Sequence, residues 1–265
     1  MTPEELDQLA DNPNLIEGIY NWCDRWCERC PFTSRCLNYA LGEEQGTTNV
    51  NDLSNEQFWQ KLAEVFDLTL ALLQRSVDEL GLDWTTVDTD VLMAEKHHNA
   101  ERAANHALAL QSDAYAEQVD AWFTAAGDLF QTKSEQLAAQ MRIGLTNAAE
   151  NQVIVLQDAV DVIRWYQLFI HVKLQRALHG KLDERTECDP EYPKDSDGSA
   201  KVALIAIDRS LAAWSVLLRA FPDHETGTLH LLAQLGQLRR AVEQEFPEAR
   251  QFVRPGFDTL SPFEE

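Results

Sequence analysis

The chain has 265 residues, with 22 Lys+Arg against 44 Asp+Glu and a formal net charge of −22. Hydrophobic residues make up 45%, a folded-protein composition. The acidic balance argues against general nucleic-acid binding and against docking on anionic lipid, since both need clustered cations.

In chain order, residues 14–40 carry four of the five cysteines and the aromatics Tyr20, Trp22, Trp26, Phe32 and Tyr39. Residues 41–54 read as a linker. Ser54, with Gln57 three residues later, forms a capping-box signal, and the apolar spacing from Phe58 through Leu62, Phe66, Leu70, Leu73 and Val77 predicts a helix ending near Gly81. A second helix is expected from about Val87 or Thr89 past Leu110, and a third from Asp113 to Ile143, stopped by Gly144. A fourth should run from Asn147 to Leu178 with Gly180 as its C-cap. Residues 181–198 hold seven acids (Asp183, Glu184, Glu187, Asp189, Glu191, Asp195, Asp197) with Pro190 and Pro193, and read as a solvated loop. Asp197 or Ser199 then caps a fifth helix to Ala220, apolar nearly all round and so expected in the middle of a bundle. A sixth spans Glu225 to Glu245 before Pro247, and the tail 254–265 lacks periodicity. No useful β-alternation occurs. The expected fold is all-α: a bundle of about six helices over residues 51–250, an N-terminal Cys-rich metal-binding module over 1–50, and an irregular tail over 251–265.

The first 20 residues hold five acids and no Lys or Arg, unlike a secretory or mitochondrial leader, and no long uncharged apolar run exists. The expected location is the cytoplasm, away from membranes. Thiols stay reduced there, so clustered cysteines point to metal rather than disulfides.

The cluster reads Cys23-Asp-Arg-Trp-Cys27-Glu-Arg-Cys30-Pro-Phe-Thr-Ser-Arg-Cys36, a C-x3-C-x2-C-x5-C spacing. If residues 18–30 are helical, Cys23, Cys27 and Cys30 share one face, Pro31 turns the chain, and Cys36 returns as a fourth ligand. Arg25, Arg29 and Arg35 favour thiolates. Two centres take four thiolates: an iron–sulfur cluster, which a compact run like this can hold, and zinc, whose structural sites more often use two separated Cys pairs. Cys188, alone in the acidic loop, reads as a bystander.

The stretch Cys27-Glu-Arg-Cys30-Pro31-Phe32-Thr-Ser-Arg-Cys36 resembles the [4Fe–4S] cysteine loop of RecB-family nucleases, C-x2-C-P-[FLY]-x3-C, and the C-x2-C-x5-C segment of endonuclease III/MutY-type glycosylases. The resemblance covers ten residues and implies the cofactor, held by Cys23, Cys27, Cys30 and Cys36. It departs at the first cysteine: the gap before the pair is x3, where the glycosylases have x6. Cys23, Cys27 and Cys30 also match the C-x3-C-x2-C of radical S-adenosylmethionine enzymes, whose β/α barrel an all-helical chain lacks. Neither a helix-hairpin-helix glycine pattern nor a strand-borne acid–acid–Lys core is present, so the DNA enzymes' reaction is not implied.

Outside the cluster, Glu95-x-x-His98 is one half of a ferritin-like dimetal signature, without the second Glu-x-x-His that such a site needs. The polar line Gln157, Asp161, Arg164, His171 and Gln175 on the fourth helix faces outward or forms a seam with Lys201, Asp208 and Arg209 of the fifth. In the seam reading, Arg164, His171, Lys201 and Asp208 are candidate catalytic residues of a helical enzyme with a polar pocket between these helices. The expected function is a metal-binding helical protein whose four clustered cysteines ligate a [4Fe–4S] cluster in a redox, sensing or structural role. The alternatives are a zinc-stapled protein-interaction adaptor and the helical enzyme. Candidate partners are a protein or a small molecule rather than nucleic acid.

Overall fold

The computed structural model describes residues 2–44, 56–81, 83, 88–183 and 194–259. Among these residues it is all-helical, with nine α-helices and no strand: α1 (Pro3–Ala10), α2 (Leu37–Glu44), α3 (Glu56–Leu80), α4 (Thr89–Ala104), α5 (Ala107–Ala125), α6 (Gly127–Arg142), α7 (Thr146–Leu182), α8 (Asp195–Ala220) and α9 (Glu225–Glu245). No helix among the described residues is long and apolar enough to cross a membrane. The chain forms two compact units, one of residues 1–95 with 253–265, the other of residues 96–252.

In the first unit, α1 has no counterpart among the expected elements, yet its start signal is complete. Thr2 caps the helix, Pro3 follows at the first helical position, and the Thr2 and Glu5 side chains each accept from the other's backbone N–H. Arg75 of α3 clamps Asp7 of α1 bidentately, at 2.6 and 3.1 Å. This hydrogen-bonded guanidinium holds the Asp7 carboxyl below its ordinary value. A carboxylate with a lowered folded-state pKa stabilises the docked helix at neutral pH and loses that effect as pH falls through the folded value. Asp7→Asn should therefore speed amide exchange in residues 3–10 at neutral pH. The difference from wild type should shrink as pH falls through the folded Asp7 value and vanish once both side chains are uncharged. A gap persisting there would contradict the clamp.

α3 ends before Gly81, at φ +62 in the left-handed region that terminates a helix with glycine, as the sequence predicts. The expected Ser54 cap lies outside the described residues. Trp59, Phe66, Leu70, Leu73 and Leu80 are exposed along this helix. The stretch 41–54, read as a linker, begins instead within α2.

The second unit is a bundle in which α7 and α8 form the most extensive pair, α5 and α9 flank them, and α6 packs on α7. α8 supplies a buried face of small residues, Ser196, Ser199, Ala203, Ala206, Ser210 and Ala213. Small side chains let two backbones approach closely, and α7 answers with buried Ile163, Ile170 and Leu174. An aromatic cluster joins the flanks: Trp122 stands edge-on to Trp214 at 4.9 Å, Phe123 stacks on Phe130 at 6.0 Å, and Phe130 meets Phe221 at 5.1 Å. Trp214 Nε1 donates to Tyr115 Oη at 3.0 Å, and Trp122 Nε1 to Thr228 Oγ1 at 3.2 Å.

Four helix boundaries differ from expectation, each for a physical reason. The second predicted helix breaks at Asn105–His106, because Asn105 Nδ2 donates back to Glu101 O (2.9 Å) and His106 Nδ1 accepts from Leu108 N–H (3.3 Å) as a new N-cap. The third breaks at Ala126–Gly127, where the poorest non-proline helix former follows a buried alanine. α7 runs through Gly180 to Leu182, because Asn99 Nδ2 takes the Leu182 carbonyl and Lys181 Nζ takes Glu245 O and Oε1. α8 begins at Asp195 rather than after a cap at Asp197 or Ser199, with Arg176 gripping the Asp195 carboxylate at 2.8 and 2.5 Å.

Candidate metal centre

Residues 12–36 are not an α-helix. They are turns with two short 3-10 helices, Cys27–Arg29 and Thr33–Arg35, so the conditional one-face arrangement of Cys23, Cys27 and Cys30 does not arise by helical spacing. The local chemistry explains why. Gly18 (φ +69) and Arg25 (φ +58) take left-handed conformations, Asp24 Oδ1 accepts from Trp26 N–H at 3.2 Å, and Pro31 blocks helix at Cys30. For an arginine the left-handed conformation costs about 1 kcal/mol or more, so the surrounding turn must hold it.

These turns bring the cysteines into one small region by another route. Cys30 N–H closes the first 3-10 turn on Cys27 O (3.1 Å), and Cys36 N–H closes the second on Thr33 O (3.3 Å). Cys36 immediately precedes α2, with Ala40 N–H bonded to its carbonyl at 3.0 Å. Ile16 N–H reaches Arg35 O (2.9 Å) and Arg35 Nε reaches Asn14 O (3.1 Å), tying the loop to the segment before it. All four thiols are free of disulfides and half-buried. Trp22 and Ile19, just before Cys23, are buried, and the Arg29 guanidinium lies 3.9 Å above the Trp26 ring.

The thiols sense one another. Burial raises the Cys27 thiol above its ordinary value, and the neighbouring Cys23, Cys30 and Cys36 raise it further. Burial likewise raises Cys30, partly opposed by the Phe32 N–H that donates to its sulfur at 3.4 Å, with Cys23, Asp24 and Cys36 adding to the rise. Cys23 Sγ lies 3.5 Å from Tyr20 O. The four sulfurs are thus within electrostatic range of one another. Among the described residues, however, no three His, Cys, Asp or Glu side chains are already drawn to ligand distance of one ion-sized point. The two observations differ because Coulomb effects reach several times farther than a metal–sulfur bond. As a donor set the residues offer four soft sulfurs of the kind a thiolate-ligated centre uses, with a backbone N–H aimed at one of them.

The other predicted residues are engaged separately. Arg164 pairs with Asp120 (2.6 Å) and donates to Gln167 Oε1. The Gln167 amide and this guanidinium hold Asp120 below the usual carboxylate range. His171 Nδ1 lies 3.0 Å from Ser112 Oγ and 3.2 Å from Ala109 O. Lys201 Nζ donates to Phe252 O. Asp208 accepts from Arg239 (3.3 Å) and Arg250 (2.7 Å). A cleft of about 410 Å³ does lie between α7 and α8, but Ile154, Val155, Val162 and Val216 dominate its lining, and its charged residues are Asp158 and Arg209. A more polar cleft of about 380 Å³ is lined by Arg102, His106, Lys181 and Glu245. None of the four predicted residues lines either one. Glu95 and His98 are exposed on α4, and Cys188 lies outside the described residues.

Sequence reasoning missed the residues that support the loop from the far end of the chain. Phe257 meets Phe32 edge-on at 5.2 Å, and Gly256 (φ +76) is pressed against Ile16 and Ile19. The only sequence signal is Pro255-Gly256, a turn dipeptide in a tail without periodicity. No family model matches this chain, and no curated protein or solved structure is significantly similar to it, so its functional reading rests on its own residues.

Proposed function

We propose that this is a metal-binding helical protein in which Cys23, Cys27, Cys30 and Cys36 hold a [4Fe–4S] cluster with a redox, sensing or structural role. The observation that carries the reading is density: four disulfide-free, half-buried thiols within 14 residues, acting electrostatically on one another. Bringing such thiols together as thiolates is unfavourable without a cation, and a metal centre offsets that repulsion. The compact spacing and the ten-residue resemblance favour an iron–sulfur cluster over zinc.

When bound, the cluster would supply one-electron chemistry and a cross-link between turns. The chain's own residues do the rest. Trp22 and Ile19 bury apolar surface in the segment that leads into Cys23, and the Phe32 N–H supports the Cys30 sulfur.

Anaerobic purification of the full chain should give a brown protein with broad absorbance near about 400 nm and about four irons and four sulfides per chain, as four-thiolate clusters do. A colourless protein with one zinc would replace this reading with the zinc-stapled adaptor. A chain that takes up neither metal would overturn both.

A further inference from the structure

The last described turn of the chain is built as a unit. Arg254 and Asp258 form a partly exposed ion pair at 3.0 Å, and Asp258 also accepts from Arg254 N–H at 2.9 Å. Gly256 N–H donates to Thr259 Oγ1 (3.1 Å), and the Arg254 guanidinium covers the Phe257 ring at 4.9 Å. So locked, the turn presents two features to the N-terminal segment. One is the bare Gly256 backbone, where an added Cβ would sit 2.8 Å from Ile19 Cδ1 and 3.1 Å from Ile16 Cδ1. The other is the Phe257 ring, edge-on to Phe32.

Phe32 connects this turn to the cysteines. It follows Cys30-Pro31, its N–H donates to Cys30 Sγ, and it opens the 3-10 turn that ends at Cys36. The Phe32 ring is thus anchored on the backbone between two of the four sulfurs. Ile16 bears on the same loop, since its N–H holds Arg35 O, and Ile19 N–H in turn bonds Ile16 O.

We propose that the C-terminal turn 254–259 is a latch that positions the cysteine loop, so that its docking through Gly256 and Phe257 and metal uptake by Cys23, Cys27, Cys30 and Cys36 favour each other. The latch rests on the thiolate reading above but not on which metal is bound. Coupling of this kind is reciprocal: a docked latch tightens metal binding, and bound metal holds the latch down by the same factor. Phe257 and Gly256 are positioning residues; they supply no ligand.

The test uses the full-length reduced chain and cobalt(II), whose sulfur-to-metal absorption reports thiolate ligation directly. Phe257→Ala should weaken cobalt affinity about tenfold, within the usual range for coupled sites. Phe257→Leu should recover most of the loss. Gly256→Ala should behave like Phe257→Ala, because a side chain there meets both the positive φ and Ile19. In the wild type, cobalt should slow amide exchange in residues 253–259 by a similar factor, a readout that needs no variant to fold. Thiolate bands with equal affinity in all four proteins, and no metal-dependent protection of 253–259, would overturn the latch alone. A wild type without thiolate bands would overturn the metal reading and the latch with it.

Discussion

Trp214→Ala is expected to destabilise the helical unit of residues 96–252 by about 3–5 kcal/mol, the usual cost of truncating a fully buried large aromatic. Trp214 has no exposed surface, and its ring stands against both Trp122 and Phe123 of α5. Removing it opens a cavity where α5 meets α8, and Trp122 loses its neighbour while its own N–H still holds Thr228 of α9. The loss is also polar. Trp214 Nε1 donates to Tyr115 Oη, and burial pushes that phenol well above its ordinary value, so it stays neutral and cannot ionise in compensation. Trp214→Phe separates the two parts. It retains most of the apolar volume and drops only the hydrogen bond, with an expected cost of about 1–3 kcal/mol. Urea unfolding followed by far-UV circular dichroism measures both. If Trp214→Ala shifted the midpoint no more than a surface substitution does, the aromatic cluster would not be the core of this unit.

Helices are legible in the sequence where apolar spacing is long and regular. The period over 58–77 with Gly81 after it, the nearly all-apolar run of α8, and Pro222 and Pro247 marking the ends of α8 and α9 all carry into the structure. The breaks at Asn105–His106 and Ala126–Gly127 are not legible, because periodicity continues across them. What ends α4 and starts α5 is the hydrogen bonding of two polar side chains, and a weak signal of that kind is overridden or enforced only by packing. Gly180 shows the opposite failure: a good C-cap residue is passed over because Asn99, 83 positions away, takes the Leu182 carbonyl. At the candidate site, the identity and grouping of the thiols are read from spacing alone, while the turns that carry them are not. Arg25 at positive φ and the Asp24 turn have only faint local preferences. The Gly256–Phe257 support is legible only in three dimensions, because more than two hundred residues separate Phe257 from Phe32. The polar candidates Arg164, His171, Lys201 and Asp208 have a common cause for their scatter. A long helix displays its polar residues to several neighbours in turn, so shared helical spacing does not make a shared pocket.

Cys23→Ala is the most informative substitution in the cluster and should reduce bound metal to a small fraction of wild type. Structural zinc sites with four ligands bind with about 10–16 kcal/mol, so one ligand in four is worth about 3 kcal/mol, about a hundredfold in affinity. The same loss is expected for Cys27→Ala, Cys30→Ala and Cys36→Ala, but those three lie within the segment that resembles known cluster loops. Cys23 lies outside it, at a spacing those loops do not use. Cys23 is nonetheless one of the thiols that raise both Cys27 and Cys30. Iron, zinc and sulfide analysis on each variant, beside Cys188→Ala as the matched control, decides the ligand set. Full metal retention in Cys23→Ala would remove Cys23 and leave the fourth ligand to be found elsewhere. Loss in Cys188→Ala would show that the division of the five cysteines into four and one was drawn in the wrong place.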